Sequence, residues 1–196
     1  KGEVPNRIRQ LGTGISAVIR QPQIESAWAR QSIAAVRQEL GDSWGQLVAG
    51  VALSNDNPAN YRTRAIDLMQ LFGPIPNEKL LLELSSAPNE QVRAKAAWMM
   101  GLHPGEQSRE RLIELLGDSN PRVQRAACEA MLRSGQLPSG PTGILELLKS
   151  NDRNLSFVAV RLLERIPTDD WQNRILESDE PRIAILGMMA LANALL

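Results

Sequence analysis

At 196 residues the chain has room for one large or two small domains. Apolar residues, at 43%, suffice for a packed core, while aromatics at only 4% speak against an all-β domain, where Tyr and Phe are favoured. Lys plus Arg and Asp plus Glu both total 22, so no bulk charge draws the protein to nucleic acid or anionic lipid.

The basic side is lopsided, with 18 Arg against 4 Lys. Arg suits bidentate contacts to carboxylate or phosphate, but a compositional bias of the genome yields the same count. One cysteine, Cys128, excludes an internal disulfide and any CxxC metal or haem-attachment motif, and it leaves the compartment open. No apolar run approaches the roughly 18 residues that span a bilayer, and no signal-peptide pattern is present. The first residue is Lys1 rather than Met, which is expected of a processed chain or a piece of a longer one.

In chain order, Ile8, Leu11, Ile15, Val18 and Ile19 keep helical spacing, interrupted by Gly12 and Gly14. Gln21-Pro22 breaks that segment. Ile24 to Leu40 reads as a second helix, stopped by Gly41 and followed by a new N-cap at Asp42-Ser43. From Asp42 onward the pattern is regular. The last apolar position of each leading helix is Leu53, Leu84, Leu115, Leu147 and Ile175. The first buried position of each following helix is Tyr61, Val92, Val123, Leu155 and Ile183. Both columns step by 31, 31, 32 and 28, so the distance between them is 8 in every unit. Two further columns keep the step: Ala65, Ala96, Ala127, Ala159, Gly187, and Met69, Met100, Met131, Leu163, Leu191. Four columns agreeing over five units mark a true repeat.

Positions four apart share a helix face, so each second helix buries apolar, small, apolar. The small residue lets the paired helix approach closely. The turn inside each unit holds Asp56/Pro58, Pro88, Asp118/Pro121, Asp152 or Asp179/Pro181, residues that cap the next helix or sit in its first turn. Length variation is confined to the connectors between units, among them Ser134 to Pro141.

The stretches Val92-Arg-Ala-Lys-Ala-Ala-Trp-Met-Met-Gly and Asp118-Ser-Asn-Pro-Arg-Val-Gln-Arg-Ala-Ala resemble the HEAT repeats, most closely their short bilin-lyase-type form. The resemblance covers roughly residues 42 to 196, with departures at Leu155-Ser and Ile183-Ala, where Val-Arg is the family pattern. It implies an all-α fold, a right-handed α-α superhelix of about six helix pairs. Residues 1–41 are expected to form a degenerate first unit acting as a cap, with Trp28, Ser32 and Val36 in the best register. The whole, 1–196, is then a single repeat domain with five regular repeats from residue 42.

In such solenoids the second helices line the concave face, where partners bind. Two past the small residue stand Asp67, Trp98, Glu129, Arg161 and Met189; a neighbouring column holds Arg62, Arg93, Gln124, Ser156 and Ala184. Arg62, Asp67, Arg93, Trp98, Glu129 and Arg161 are therefore the candidate partner-binding residues, since Trp and Arg are common anchors. The plainer alternative pairs Arg62 and Arg93 with acids of their own turns, such as Asp56, and leaves the rest solvated.

No nucleophile elbow, P-loop, HExxH or dinucleotide fingerprint occurs. His103 stands alone in a connector, and Asp169-Asp170 begins a helix whose dipole favours acids. Cys128 follows the small position Ala127 on a buried face, and Met69, Met100 and Met131 fall on a core column. The expectation is a non-catalytic scaffold, without cofactor or metal, that binds a protein or an adjacent domain of its own chain. The resemblance also has enzymatic precedents, in bilin lyases and in HEAT-like DNA glycosylases. Asp67 and Trp98 in equivalent places are the one coincidence in the latter direction, and the zero net charge argues against a duplex partner. Finally, Ile183 to Leu196 carries no charge. A helix apolar all round needs cover on more than one side, so the last helix is expected to expose an apolar patch that packs on further repeats or another chain.

Overall fold

The computed structural model describes residues 13–195, and all regular elements among them are helices. The expected all-α class therefore stands, and the described residues give six consecutive helix pairs. Ile8, Leu11 and Gly12 lie outside the described residues, as does Leu196. The chain divides into two compact units, Lys1–Lys95 and Ala96–Leu196.

The first unit contains α1 (Thr13–Arg20), α2 (Ala27–Leu40), α3 (Ser43–Leu53), α4 (Ala59–Phe72), α5 (Glu78–Leu84) and the first half of α6 (Glu90–Met100). Ser26 caps α2 by accepting from the Ala29 amide, and Gly41, at φ 50°, ends it. Positive φ costs a Cβ-bearing residue energy, which is why glycine stands there. The α2 register is a correction. Its buried face is Ala29 and Ile33, packed against α1, whereas Trp28 is exposed. The small and branched side chains fit between the two helices, and the bulky indole is left outside. In α3, Trp44 is buried and its indole N–H donates to the Gly73 carbonyl at 2.6 Å, tying the start of α3 to the end of α4.

The second unit holds the rest of α6, then α7 (Glu106–Leu115), α8 (Pro121–Ser134), α9 (Ile144–Leu148), α10 (Arg153–Leu163), α11 (Gln172–Leu176) and α12 (Pro181–Ala194). Helices α7 and α8 pack as a pair, as do α9 with α10 and α11 with α12. The second helices stack in turn, α8 on α10 and α10 on α12. Asn120 caps α8 through the Arg122 amide, and Asp152 caps α10 through the amides of Asn154 and Leu155. Pro121 and Pro181 occupy the first turns of α8 and α12, where no amide hydrogen is needed. Asp169 and Asp170 sit in a single 3-10 turn, Thr168–Asp170, so the leading helix of the last pair shrinks to five residues.

The small-residue column is buried throughout: Ala65, Ala96, Ala127, Ala159 and Gly187. Two places show why size matters. A Cβ on Gly101 would stand 2.6 Å from the Ala130 Cα, so α6 and α8 meet backbone to backbone. A Cβ on Gly187 would stand 2.7 Å from Ile175 Cγ1, so α11 rests directly on the α12 backbone. The connectors are held by side chains. Arg109 donates through Nε and Nη2 to the Leu137 carbonyl at 3.1 and 2.9 Å, pinning the Ser134–Pro141 segment to α7.

Helix α12 exposes Ile185, Met188 and Met189, with Leu195 exposed at its C-cap, the apolar patch expected of the last helix.

Candidate functional site

In the first unit Arg62 is buried, while Arg93 and Asp67 are half-buried. Arg62 is only 4% exposed. Its Nε donates to the Ala52 carbonyl at 2.8 Å, Nη1 to Asn55 Oδ1 at 2.7 Å and Nη2 to the Leu53 carbonyl at 3.4 Å. The last carbonyls of a helix have no intrahelical partner, and Arg62 supplies it for α3 from the following helix. Burial pulls the guanidinium pKa below its ordinary value. The expectation that Arg62 faces a partner is thus corrected: it is a clamp on its own turn. Arg93 also reaches back to its own turn, with Nη1 donating to the carbonyls of Ala87 and Pro88, beyond the end of α5, at 3.0 and 2.9 Å. Asp67 is half-buried and ion-paired with Lys95.

In the second unit Trp98 and Glu129 are half-buried and Arg161 is exposed. The Arg133 guanidinium lies over the Trp98 ring, 4.8 Å from its centroid, and its Nη1 donates to the Trp98 carbonyl at 3.1 Å. A cation over an indole face gains electrostatic attraction of about 0.5–1 kcal/mol at an exposed site. Glu129 pairs with Arg125 at 3.5 Å on α8. Arg161 pairs with Glu164 at 2.8 Å, and Asn193 of α12 donates to the same carboxylate at 2.8 Å, so one acid links α10 to α12.

Beside that link an open groove of about 240 Å³ runs between α10 and α12. Phe157, Val160 and Arg161 line one side, Leu186, Met189 and Asn193 the other, and Arg153 stands at the α10 N-terminal end. Phe157 is 65% exposed, and Met189 and Ile185 are exposed nearby on α12. Large apolar side chains facing water side by side carry more information than a single exposed leucine. Phe157 is the residue that the candidate set omits. Its signal lies in the column two past the first buried position, which reads Thr63, Ala94, Arg125, Phe157, Ile185. The column turns from polar or small to large and apolar at Phe157.

Cys128 is fully buried in α8, and burial, helped by the charge of Glu129, pushes its thiol pKa up to about 12. At neutral pH it is a thiol packed as a small hydrophobe. Among the described residues no cluster of three or more His, Cys, Asp or Glu side chains is placed to hold a metal, and no helix is long and apolar enough to cross a membrane.

The paired helices, the buried small column and the capped intra-repeat turns define a helical-repeat protein. Residues 77–164 match the HEAT repeats, which supports a HEAT-like repeat fold for this stretch. The match begins at the N-cap of α5 and ends at the C-cap of α10, so it contains three whole helix pairs. HEAT repeats generally serve as scaffolds for protein–protein interaction. A comparison with curated proteins finds no match.

Proposed function

We propose that the chain is a non-catalytic scaffold module that holds a segment of a protein partner against the second-helix face of its second unit, centred on the groove between α10 and α12. The observation that carries this reading is the exposure of Phe157 and Met189 on adjacent helices, flanked by Arg153 and Arg161. An apolar floor with a few polar groups at its edge is the usual make-up of a binding groove. Phe157, Met189 and Leu186 receive an apolar anchor of the partner, and burying one such side chain contributes about 1.5–3 kcal/mol. Arg153 and the Arg161–Glu164–Asn193 link set the orientation of the segment by hydrogen bonds at the rim. Trp98 under Arg133, and Glu129 with Arg125, extend the surface along the neighbouring second helices.

The test is a selection of random displayed peptides on the intact chain. Selected peptides are expected to compete with one another for one site. Phe157→Ala is expected to weaken them at least tenfold, about 1.4 kcal/mol, while Arg109→Ala on the leading-helix side leaves them unchanged. Peptides that bind Phe157→Ala as tightly as the unmodified chain contradict the proposal.

A further inference from the structure

The net charge of zero hides a sorting of charge within the second unit. Its second helices α8, α10 and α12 carry Arg122, Arg125, Arg133, Arg153, Arg161 and Arg182, and within their bounds a single acid, Glu129. The leading helices α7, α9 and α11 instead carry Glu106, Glu110, Glu114 and Glu146, against Arg109, Arg111 and Arg174. Half of the second-helix cations are used inside the fold: Arg125 pairs with Glu129, Arg161 with Glu164, and Arg133 covers Trp98. Arg122, Arg153 and Arg182 are exposed and form no ion pair among the described residues, although Asp152, Asp179 and Glu180 are near in sequence. All three stand in the first turn of their helices, where acids rather than cations suit the dipole, so they do not serve the helices that carry them.

Two of the three meet at one end of the groove between α10 and α12. Arg153 lines the groove itself. Arg182 lies one turn before Leu186, another lining residue, and residues four apart share a helix face. Its Nη1 donates to Asn151 Oδ1 at 3.4 Å, which brings the guanidinium to the turn leading into α10. The other end of the groove is neutralised, since Glu164 is held by Arg161 and Asn193. The groove thus has an apolar middle, at Phe157 and Met189, and one cationic mouth. Its volume of about 240 Å³ is below the roughly 300–1,000 Å³ of pockets that enclose a small ligand, so it seats side chains of a larger partner.

We propose that the partner segment is acidic as well as apolar: an extended stretch whose Asp or Glu lies two residues from its apolar anchor and is held between Arg153 and Arg182. Arg153 and Phe157 are four residues apart, about 6 Å along α10. An extended chain covers about 6.6 Å in two residues, with both side chains on one face. A carboxylate placed there accepts charge-assisted hydrogen bonds from two guanidinium groups and offsets the repulsion between them. Because only one mouth is charged, the segment runs in one direction. An acidic partner presupposes the groove site proposed above, and the two fail separately in the following experiment.

Peptides are selected from a random displayed library on the intact chain and their affinities measured by calorimetric titration. The selected peptides are expected to carry an Asp or Glu beside an apolar residue. Replacing that acid with Asn or Gln is expected to weaken binding about tenfold. Arg153→Gln/Arg182→Gln is expected to weaken the acidic peptide equally while leaving the acid-free peptide unchanged. Raising salt from about 50 to about 500 mM is expected to weaken only the acidic peptide, because the charged contact is open to screening. Arg174→Gln, which removes the same charge from α11, is expected to change nothing, and circular dichroism to show all variants equally helical. Peptides that lose affinity in Phe157→Ala but carry no acid, or whose acid is indifferent to the double variant, overturn the acidic partner and leave the groove site standing. Peptides indifferent to Phe157→Ala, or a selection that yields none, overturn the groove site and the acidic partner together. A single-stranded DNA oligonucleotide that binds more tightly than the peptides, and no longer binds the double variant, overturns the acidic partner in favour of nucleic acid.

Discussion

The helix pairs α9–α10 and α11–α12 share one register, 28 residues apart, and their stacking residues meet opposite environments. Leu148 and Val160 lie in the core, while their counterparts Leu176 and Met188 face solvent. The residue types barely differ; what differs is the presence of a following pair among the described residues. In a repeat array the energetic role of a side chain is thus set by its neighbour as much as by its own helix.

The largest effect expected from this contrast comes from placing a charge at each position. Val160→Glu or Leu148→Asp buries an unpaired carboxylate and is expected to cost about 3–5 kcal/mol or to unfold the unit. Met188→Glu and Leu176→Asp are expected to stay within about 0.5 kcal/mol. Urea unfolding midpoints measure both, and equal losses at the two pairs would break the comparison.

Glycine sharpens it at the next level. Gly101→Ala drives a methyl into the Ala130 backbone, which cannot turn aside, and is expected to cost about 1–3 kcal/mol. Gly187→Ala meets only the side chain of Ile175, in a pair with no neighbour beyond it among the described residues, and its expected cost in the same unfolding experiment is lower. A larger loss at Gly187 would show that the terminal pair is as rigidly held as the inner ones.

Arginine offers a third contrast, between a buried clamp and a rim residue. Arg62→Ala orphans the carbonyls of Ala52 and Leu53 and is expected to cost about 1–3 kcal/mol. Arg161→Ala removes an exposed guanidinium from Glu164, whose carboxylate keeps its Asn193 hydrogen bond, and is expected to cost less than about 1 kcal/mol. Thermal unfolding of the two variants separates them.

The smallest effect is at Cys128. Its folded pKa of about 12 lies above the ordinary 9.0, so the folded state holds the proton more tightly than the unfolded chain. The stability linked to this group is full below pH 9.0 and is lost as pH rises toward about 12. At pH 8 a thiol reagent is expected to label the chain only in denaturant; rapid labelling of the native protein would contradict the burial of α8.

The array itself was legible because burial forces spacing. A side chain that must point at the paired helix recurs at a fixed step, and the columns through Ala127 and Val123 are that constraint written out. Helix ends were legible for a similar reason, since Asp152 and Pro121 answer backbone needs within a few residues. The fate of Arg62 was not legible. Whether a long side chain reaches out to a partner or back to carbonyls ten residues earlier depends on the path of the turn, which periodicity does not report. The register of α2 was missed because no regular neighbour fixes it, and size drew attention to Trp28 rather than Ala29. Phe157 went unnoticed because the columns chosen ran beside it. It shows only as the point where one surface column turns apolar.

The central claim is that the partner surface of the second unit is the groove at Phe157, between α10 and α12, and not the outer face of α12 at Met188. Calorimetric titration of a selected peptide into the unmodified chain, Phe157→Ala and Met188→Glu tests it most directly. The account predicts at least tenfold weaker binding to Phe157→Ala, about 1.4 kcal/mol, and unchanged affinity for Met188→Glu. Binding lost in Met188→Glu and kept in Phe157→Ala would contradict it.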